Sequence, residues 1–319
     1  MEEKVLSALK ARPGIHVSGE EMSRMSGVSR TAIWKEIEKL RAEGYKILAQ
    51  PHAGYQLVGI PDRLLPQELQ WNLHTKRIGT NLHAYEETNS TMDIAQRLAS
   101  SGEPEGSVVV AEGQSRGRGR LGRSWHSPKG KGIYTSIILR PKVTLAEAPL
   151  ITLMAAVALA RAVQSSAGLK PEIKWPNDVM LKGKKIAGIL TELNAELNRV
   201  NFIIVGIGLN VNTPKSALPA HATSLAEEAG HRVDRVAVAR ALFTELDKAY
   251  TQFLQKDFDS LLTAWRGFAD FLGKRIKAVV QGRSVDGQAM DVDSSGALLI
   301  RTDTGFVERV SAGDVMVVR

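Results

Sequence analysis

Apolar positions in the first sixty residues recur at helical spacing and then change to strand-like runs. Val5, Leu6 and Leu9 fall on one face of a first helix, which Pro13 and Gly14 end. Ser18, followed by Glu20 and Glu21, suits the cap and acidic first turn of a short second helix through Met25. Gly27, Val28 and Ser29 form a tight turn, and Ser29 can cap a third helix over 30–43. Ile33, Ile37 and Leu40 give that helix a buried face, with Arg30, Thr31, Trp34, Lys35 and Lys39 elsewhere. The runs 45–48 and 55–58, separated by Pro51, His52, Ala53 and Gly54, predict a hairpin. Three helices and a hairpin make a winged helix-turn-helix over 1–62. In a DNA-binding version the third helix enters the major groove, with Arg30, Thr31, Trp34 and Lys35 on the groove side. The same scaffold can serve as a protein-interaction module. Nine basic against seven acidic residues over 1–61 do not separate the two readings; the turn spacing and the Ser29-Arg30-Thr31 opening favour DNA.

Prolines between 59 and 66 mark a hinge. Over 67–270 strand runs (107–111, 133–139, 172–175, 185–193, 201–212) mix with helices (92–99, 146–165, 233–255, 257–270), which predicts a mixed α/β domain. From Gly273 onward five short strands follow without a helix (275–280, 285–291, 297–300, 305–309, 315–318), which predicts a small barrel over 271–319. The fold class is α+β, in several domains, with no internal repeat.

Composition narrows the chemistry. The chain has 319 residues, too many for one ordinary core, and no cysteine. That excludes disulfides, a thiolate zinc site and a cysteine nucleophile, and fits a cytoplasmic protein. The histidines lack metal-ligand spacing, so no chain-borne metal site is expected. The N-terminus is charged and amphipathic, unlike a signal peptide, and the apolar run 148–160 is too short to span a bilayer, so no membrane partner is expected. The net charge of +8 suits an anionic partner without identifying one.

Residues 113–132, GQSRGRGRLGRSWHSPKGKG, hold six glycines, six basic residues and no carboxylate. Glycines let the backbone turn tightly and present N–H groups, and arginines supply forked cationic donors. The pattern predicts an anion-binding loop whose positive charges lack local partners and which is mobile when empty. The spacings Gly117-x-Gly119-x-x-Gly122 and Gly117-x4-Gly122-Arg123-Ser124 imitate dinucleotide and P-loop motifs. Both motifs need a helix to begin at the loop, and Trp125, His126, Ser127 and Pro128 prevent one. A nucleic-acid arm of arginine and glycine is disfavoured by confinement between two strands.

Three further segments belong with the loop. Lys174, Trp175, Pro176, Asn177 and Asp178 end a strand with a rigid turn, expected to expose a cation, an amide and a carboxylate. Lys185 stands at the mouth of an apolar strand in which Gly188 permits close approach by a ligand. Gly206, Gly208, Asn210 and Asn212 end another. Together with the block QSRGRGRLGRSWHSP that begins at Gln114, these segments resemble the signature blocks of biotin protein ligases. The helix-turn-helix resembles that of the bifunctional class, which also represses the biotin operon.

The resemblance implies a central ligase domain like the class II synthetases and a C-terminal SH3-like barrel. It implies that biotin and ATP form biotinyl-5′-adenylate and pyrophosphate. The biotinyl group then passes to one lysine of a biotin carboxyl carrier protein, such as the carrier domain of acetyl-CoA carboxylase or pyruvate carboxylase. A lipoate-type ligase and a non-catalytic metabolite-sensing repressor are the alternatives. By similarity Ser90 and Thr91, at a helix N-cap that would fix their hydroxyls, hydrogen-bond the biotin ring. Met92 stands where the family often has a polar residue. Gln114 contacts biotin, and Gly117, Arg118 and Gly119 wrap the ring and the carboxyl being activated. Arg118 and Lys185 act on the charge at the phosphate, while Arg120 and Arg123 order the loop. Trp125 packs on adenine. Asn177 and Asp178 face the triphosphate, its Mg²⁺ or the incoming amine. Gly188, Gly206, Gly208 and Asn210 line the pocket. Mg²⁺ is carried mainly by the nucleotide, and operator DNA is bound by a homodimer with the adenylate as corepressor.

Overall fold

A computed structural model describes residues 2–196, 199–280 and 282–318. Met1 and Arg319, the outer bounds of the first and last expected domains, lie outside the described residues. The chain divides into two compact units, Met1–Arg63 and Leu64–Arg319.

The first unit contains α1 (Glu2–Lys10), α2 (Gly19–Ser26), α3 (Arg30–Ala42), β1 (Lys46–Gln50) and β2 (Gly54–Gly59). Its caps are the two serines read from the sequence. Ser18 Oγ accepts from the Glu21 N–H at 3.0 Å and Ser29 Oγ from the Ala32 N–H at 3.2 Å. Gly27, at φ 75°, ends α2 in the left-handed region that favours glycine. Val5, Leu6, Leu9, Met22, Ile33, Ile37 and Leu40 are buried. Arg30, Thr31, Trp34 and Lys35 are exposed together on α3, Trp34 at 52%. Arg30 forms a surface ion pair with Glu20.

The second unit runs α4 (Pro66–Leu69), β3 (Leu82–Thr88), α5 (Thr91–Ser100), β4 (Val108–Gln114), β5 (Gly132–Leu139) and α6 (Pro149–Ala167). It continues with β6 (Glu172–Lys174), β7 (Asp178–Leu181), β8 (Lys184–Glu196), β9 (Arg199–Asn210), α7 (Leu225–Ala229), α8 (Arg235–Leu254) and α9 (Phe258–Arg266). Seven strands form one sheet in the order β3-β4-β5-β9-β8-β7-β6. Only β3 and β4 pair in parallel, and α5 lies between them in sequence. Both sheet faces are covered, as alternation along the strands requires. Val108, Val110, Ile137, Ile203 and Val205 join the core with α6, α8 and α9. The intervening Val109, Ile138 and Ile204 pack with Met92, Ile94, Ala95 and Ala99 of α5. By length and composition α6 could cross a membrane, but it runs through this core.

The last strands are β10 (Arg275–Val280), β11 (Arg283–Val292), β12 (Leu298–Thr302), β13 (Val307–Val310) and β14 (Asp314–Val317). They form an antiparallel sheet in the order β13-β12-β11-β10-β14. Its Ile276, Ala278, Ala289, Leu298 and Ile300 belong to the same core as α6 and α8. Trp175 Nε1 donates to Gly296 O at 3.0 Å, and Arg266 pairs with Asp291 at 2.7 Å. The boundary expected at 270/271 therefore falls inside one compact unit.

A buried ion pair ties the start of this unit to its sheet. Arg235, fully buried, donates to Glu112 Oε2 at 2.8 Å and to Gly132 O at 3.0 Å. The other carboxylate oxygen, Glu112 Oε1, accepts from the Leu64 N–H at 2.6 Å.

Candidate active site

The ends of β7, β8 and β9, the N-terminus of α5 and the loop from Gln114 to His126 enclose a cavity of about 290 Å³. Ser90, Thr91, Gln114, Arg118, Gly119, Arg120, Trp125, Asn177, Asp178, Lys185, Gly188, Gly206 and Asn210 all line it. Residues separated by more than a hundred positions in the sequence thus converge on one site.

The glycine–arginine loop folds back as a narrow hairpin. Trp125 N–H donates to Gly117 O at 2.8 Å and Gly119 N–H to Arg123 O at 2.7 Å. Gly117 is required for this approach: a Cβ there would lie 2.6 Å from Trp125 O and 2.7 Å from Ser127 Oγ. The expectation of positive charges without partners is corrected for Arg118, Arg120, Arg123 and Lys129, which carboxylates from other elements meet. Arg118 Nη2 pairs with Asp93 at 2.9 Å and Glu192 at 3.4 Å. Arg123 Nη2 pairs with Asp314 at 2.5 Å. Arg120 Nη1 donates to Asn177 Oδ1 at 2.9 Å and Gly313 O at 3.2 Å, with Asp314 at 3.6 Å. The loop is thereby fastened to α5, β8 and the C-terminal sheet. The sequence offered no local sign of Asp314, whose partners lie some 190 positions away.

Beneath the loop, glycines make a flat floor. Gly188 and Gly208 face each other across β8 and β9, and Trp125 lies against both. A Cβ at Gly208 would stand 2.4 Å from Trp125 Nε1, and one at Gly188 would stand 3.2 Å from Cζ3. Trp125 Nε1 is buried and has no hydrogen-bond partner. Lys185 Nζ lies 5.3 Å from the Trp125 ring centroid and 2.6 Å from Asp178 Oδ1. At the other end of the floor the Met92 sulfur occupies the space a Cβ on Gly206 would need.

Several side chains differ from their expected settings. Ser90 holds the N-cap position of α5, but its side chain makes no cap bond; Oγ is buried without a partner. Gln114 caps instead: its Oε1 accepts from Thr91 N–H at 2.9 Å and Thr91 Oγ1 at 3.2 Å, and its Nε2 donates to Ser127 Oγ at 2.9 Å. Ser136 Oγ donates to Thr91 Oγ1 at 2.8 Å. The turn at 174–178 does not expose its amide. Asn177 is buried, donating to Ile189 O at 2.9 Å while accepting from Arg120. Trp175 is buried too, and Lys174 does not line the cavity. Asn210 donates to Thr223 O at 3.1 Å, securing the stretch that supplies Leu218, Pro219, His221 and Ala222 to the wall. Sequence reading missed that wall, which has neither motif nor periodicity; its backbone pairs with Lys185 on both sides.

Among the described residues no group of three or more His, Asp or Glu is placed to hold a metal ion. Nor does any hydroxyl–imidazole hydrogen bond of a nucleophile–base pair occur among the described lining residues. What the cavity offers is cations, a buried unpartnered hydroxyl and the Trp125 indole laid flat on a glycine floor.

Comparison with known proteins bears on this arrangement. Residues 84–210 match the Biotin/lipoate A/B protein ligase family, 2–56 an HTH domain and 271–318 the Biotin protein ligase C terminal domain. The chain is 38% identical to the bifunctional ligase/repressor BirA of Bacillus subtilis, over 94% of this chain and 93% of that one. With the Escherichia coli protein of the same name it is 30% identical over 97% and 95%. A biotin protein ligase from Aquifex aeolicus in complex with biotin and ATP superposes with a TM-score of 0.65 at 29% identity, over 75% of this chain and 99% of that one. The chain belongs to the biotin protein ligases, in the branch of bifunctional ligase/repressors that carry an N-terminal helix-turn-helix.

Proposed function

We propose that this chain joins biotin to ATP, transfers the biotinyl group to a carrier-protein lysine, and represses transcription from operator DNA with the adenylate as corepressor. The observation that carries the enzymatic part is that Arg118 and Arg120 of the loop and Lys185 of β8 line one cavity, with no nucleophile–base pair among the described lining residues. Such a site suits chemistry in which positioning and charge stabilisation do the catalysis. The biotin carboxylate attacks the α-phosphorus of ATP and pyrophosphate leaves. The carrier lysine amine then attacks the mixed anhydride at its carbonyl carbon, and AMP leaves with the bridging oxygen. Arg118 and Lys185 stabilise the charge that develops on the phosphoryl oxygens. Ser90, with its unpartnered Oγ, binds the polar ring of biotin, and Gln114 orients Thr91 beside it. Gly188 and Gly208 let the Trp125 indole lie flat against the sheet, and the other face of that ring is offered to adenine. Mg²⁺ enters as MgATP, since both carboxylates of the wall, Asp178 and Asp314, already hold cations. Arg120, Arg123 and Asn177 keep the loop closed, while Asp178 holds Lys185 until phosphate arrives. This role for Asp178 fits its geometry better than metal binding.

The first unit supplies DNA recognition through the exposed Arg30, Thr31, Trp34 and Lys35 of α3. One short helix makes few base contacts, so a homodimer on two half-sites is the form we expect on operator DNA. A cytoplasmic setting, with carrier domains of acetyl-CoA carboxylase or pyruvate carboxylase as acceptors, completes the reading. Pyrophosphate exchange into ATP, measured with biotin, lipoate, octanoate or no acid, tests it. Exchange with biotin alone is the expected result. Exchange with lipoate instead would make this a lipoate ligase, and none with any acid would leave a sensor.

A further inference from the structure

The two carboxylates on Arg118 lie outside every motif that the cavity comprises, and they take hold of one atom. Asp93 Oδ1 at 2.9 Å and the Glu192 carboxylate at 3.4 Å both meet Nη2. No other side-chain partner of Arg118 occurs among the described residues. A guanidinium has five N–H donors in a fixed fork, so gripping one nitrogen aims the group and leaves Nε and Nη1 available. The grips come from independent, rigid elements. Asp93 sits in the first turn of α5, beside Ser90, Thr91 and Met92 of the cavity wall. Glu192 follows Gly188 and Leu190 at strand spacing, so it shares the sheet face on which those two line the cavity. The backbone of Arg118 is held in the hairpin by the Gly117–Trp125 and Gly119–Arg123 hydrogen bonds on either side of it, so what the two carboxylates aim is its long side chain.

We propose that Asp93 and Glu192 are positioning residues: they strap Arg118 between α5 and β8 so that its free donors meet the activated carboxyl and α-phosphate. This rests on the proposed biotin activation. If the carboxylates merely competed with the ligand, engagement of Nε or Nη1 would be expected; both remain free. Each pair is 39–47% exposed at its side chains, so the effect of each is modest, roughly two- to fivefold in rate.

The test is a mutant cycle on the full chain. Asp93→Asn, Glu192→Gln and the double variant are made with Arg118 intact and with Arg118→Ala, and biotin-dependent pyrophosphate exchange is measured at saturating and limiting biotin. With Arg118 intact the double variant should lose roughly fivefold or more in kcat, with KM for biotin within about twofold. With Arg118→Ala the same changes should have no further effect, because the group they aim is gone. Equal losses in both backgrounds would show a merely structural role and overturn the proposal. So would a double variant as fast as the parent. If the unmodified chain shows no biotin-dependent exchange, it is the activation reading that fails, and the strap falls with it.

Discussion

Lys185 Nζ and Asp178 Oδ1 stand 2.6 Å apart at the edge of the cavity, so a carboxylate balances the charge of the lysine. Their side chains are about a quarter exposed, a setting in which an ion pair exchanges readily for a better anion. On the proposed reading a triphosphate presents such an anion, and the exchange would bring the cation to the reacting oxygens with little rearrangement.

Lys185→Ala and Arg118→Ala are each expected to slow adenylate formation roughly a hundred- to a thousandfold, the usual effect of losing one donor to developing charge. The folded state should hardly change, since partly exposed pairs contribute about 1 kcal/mol or less. Single-turnover release of pyrophosphate and a urea melt check the two halves. Near-normal turnover would remove the residue from the catalytic role.

Asp314 joins two loop arginines to the C-terminal sheet, so Asp314→Ala should loosen the loop more than it harms activation. Losing exposed pairs worth about 1 kcal/mol raises the open population roughly fivefold. Escape of biotinyl-adenylate, read as biotinylation of bystander serum albumin, should rise by a similar factor. Unchanged bystander labelling would count against the fastening.

Leu64 N–H closes the Glu112–Arg235 network, which places a lower limit on truncation of the second unit. A chain beginning at residue 62 should keep biotin-dependent exchange while losing DNA binding. One beginning at residue 67 leaves a buried carboxylate oxygen without its donor and should be less stable by about 1–3 kcal/mol. Arg235→Met strands the Glu112 charge and should cost about 3–5 kcal/mol, with much of that recovered by adding Glu112→Gln. Urea midpoints of the four proteins rank these effects; equal midpoints would deny the network its role.

Trp34, 52% exposed on the outer face of α3, is large and apolar where a surface helix has no internal use for it. Trp34→Ala should weaken operator binding at least tenfold without altering the melting temperature or pyrophosphate exchange. Gel-shift and exchange assays on the same preparation separate the two, and unchanged DNA affinity would take Trp34 off the binding face.

Much of this was legible in the sequence because period and composition agreed. The helix caps at Ser18 and Ser29 and the strand carrying Lys185 and Gly188 required only local signals. The expected pocket residues line one cavity for the same reason, except Gly117, which serves the close approach inside the hairpin instead. What escaped was short or long-range. β3 carries Tyr85, Glu86, Glu87 and Thr88 on a sheet edge, with no apolar run to announce it. α7 has only five residues. Asp93, Glu192 and Asp314 look like solvated surface charges until the fold brings arginines to them. The same blindness produced the expectation of a loop with bare charges, and misread Asn177 as exposed when Ile189 and Arg120 use its amide.

Ligation is read most directly from the mass of a biotin carboxyl carrier domain after incubation with this chain, biotin and MgATP. The carrier should gain one biotinyl group on its lysine, a gain absent when that lysine is arginine and greatly slowed by Lys185→Ala. A carrier that stays unmodified with the unaltered chain, or one labelled equally fast by the Lys185 variant, would contradict it.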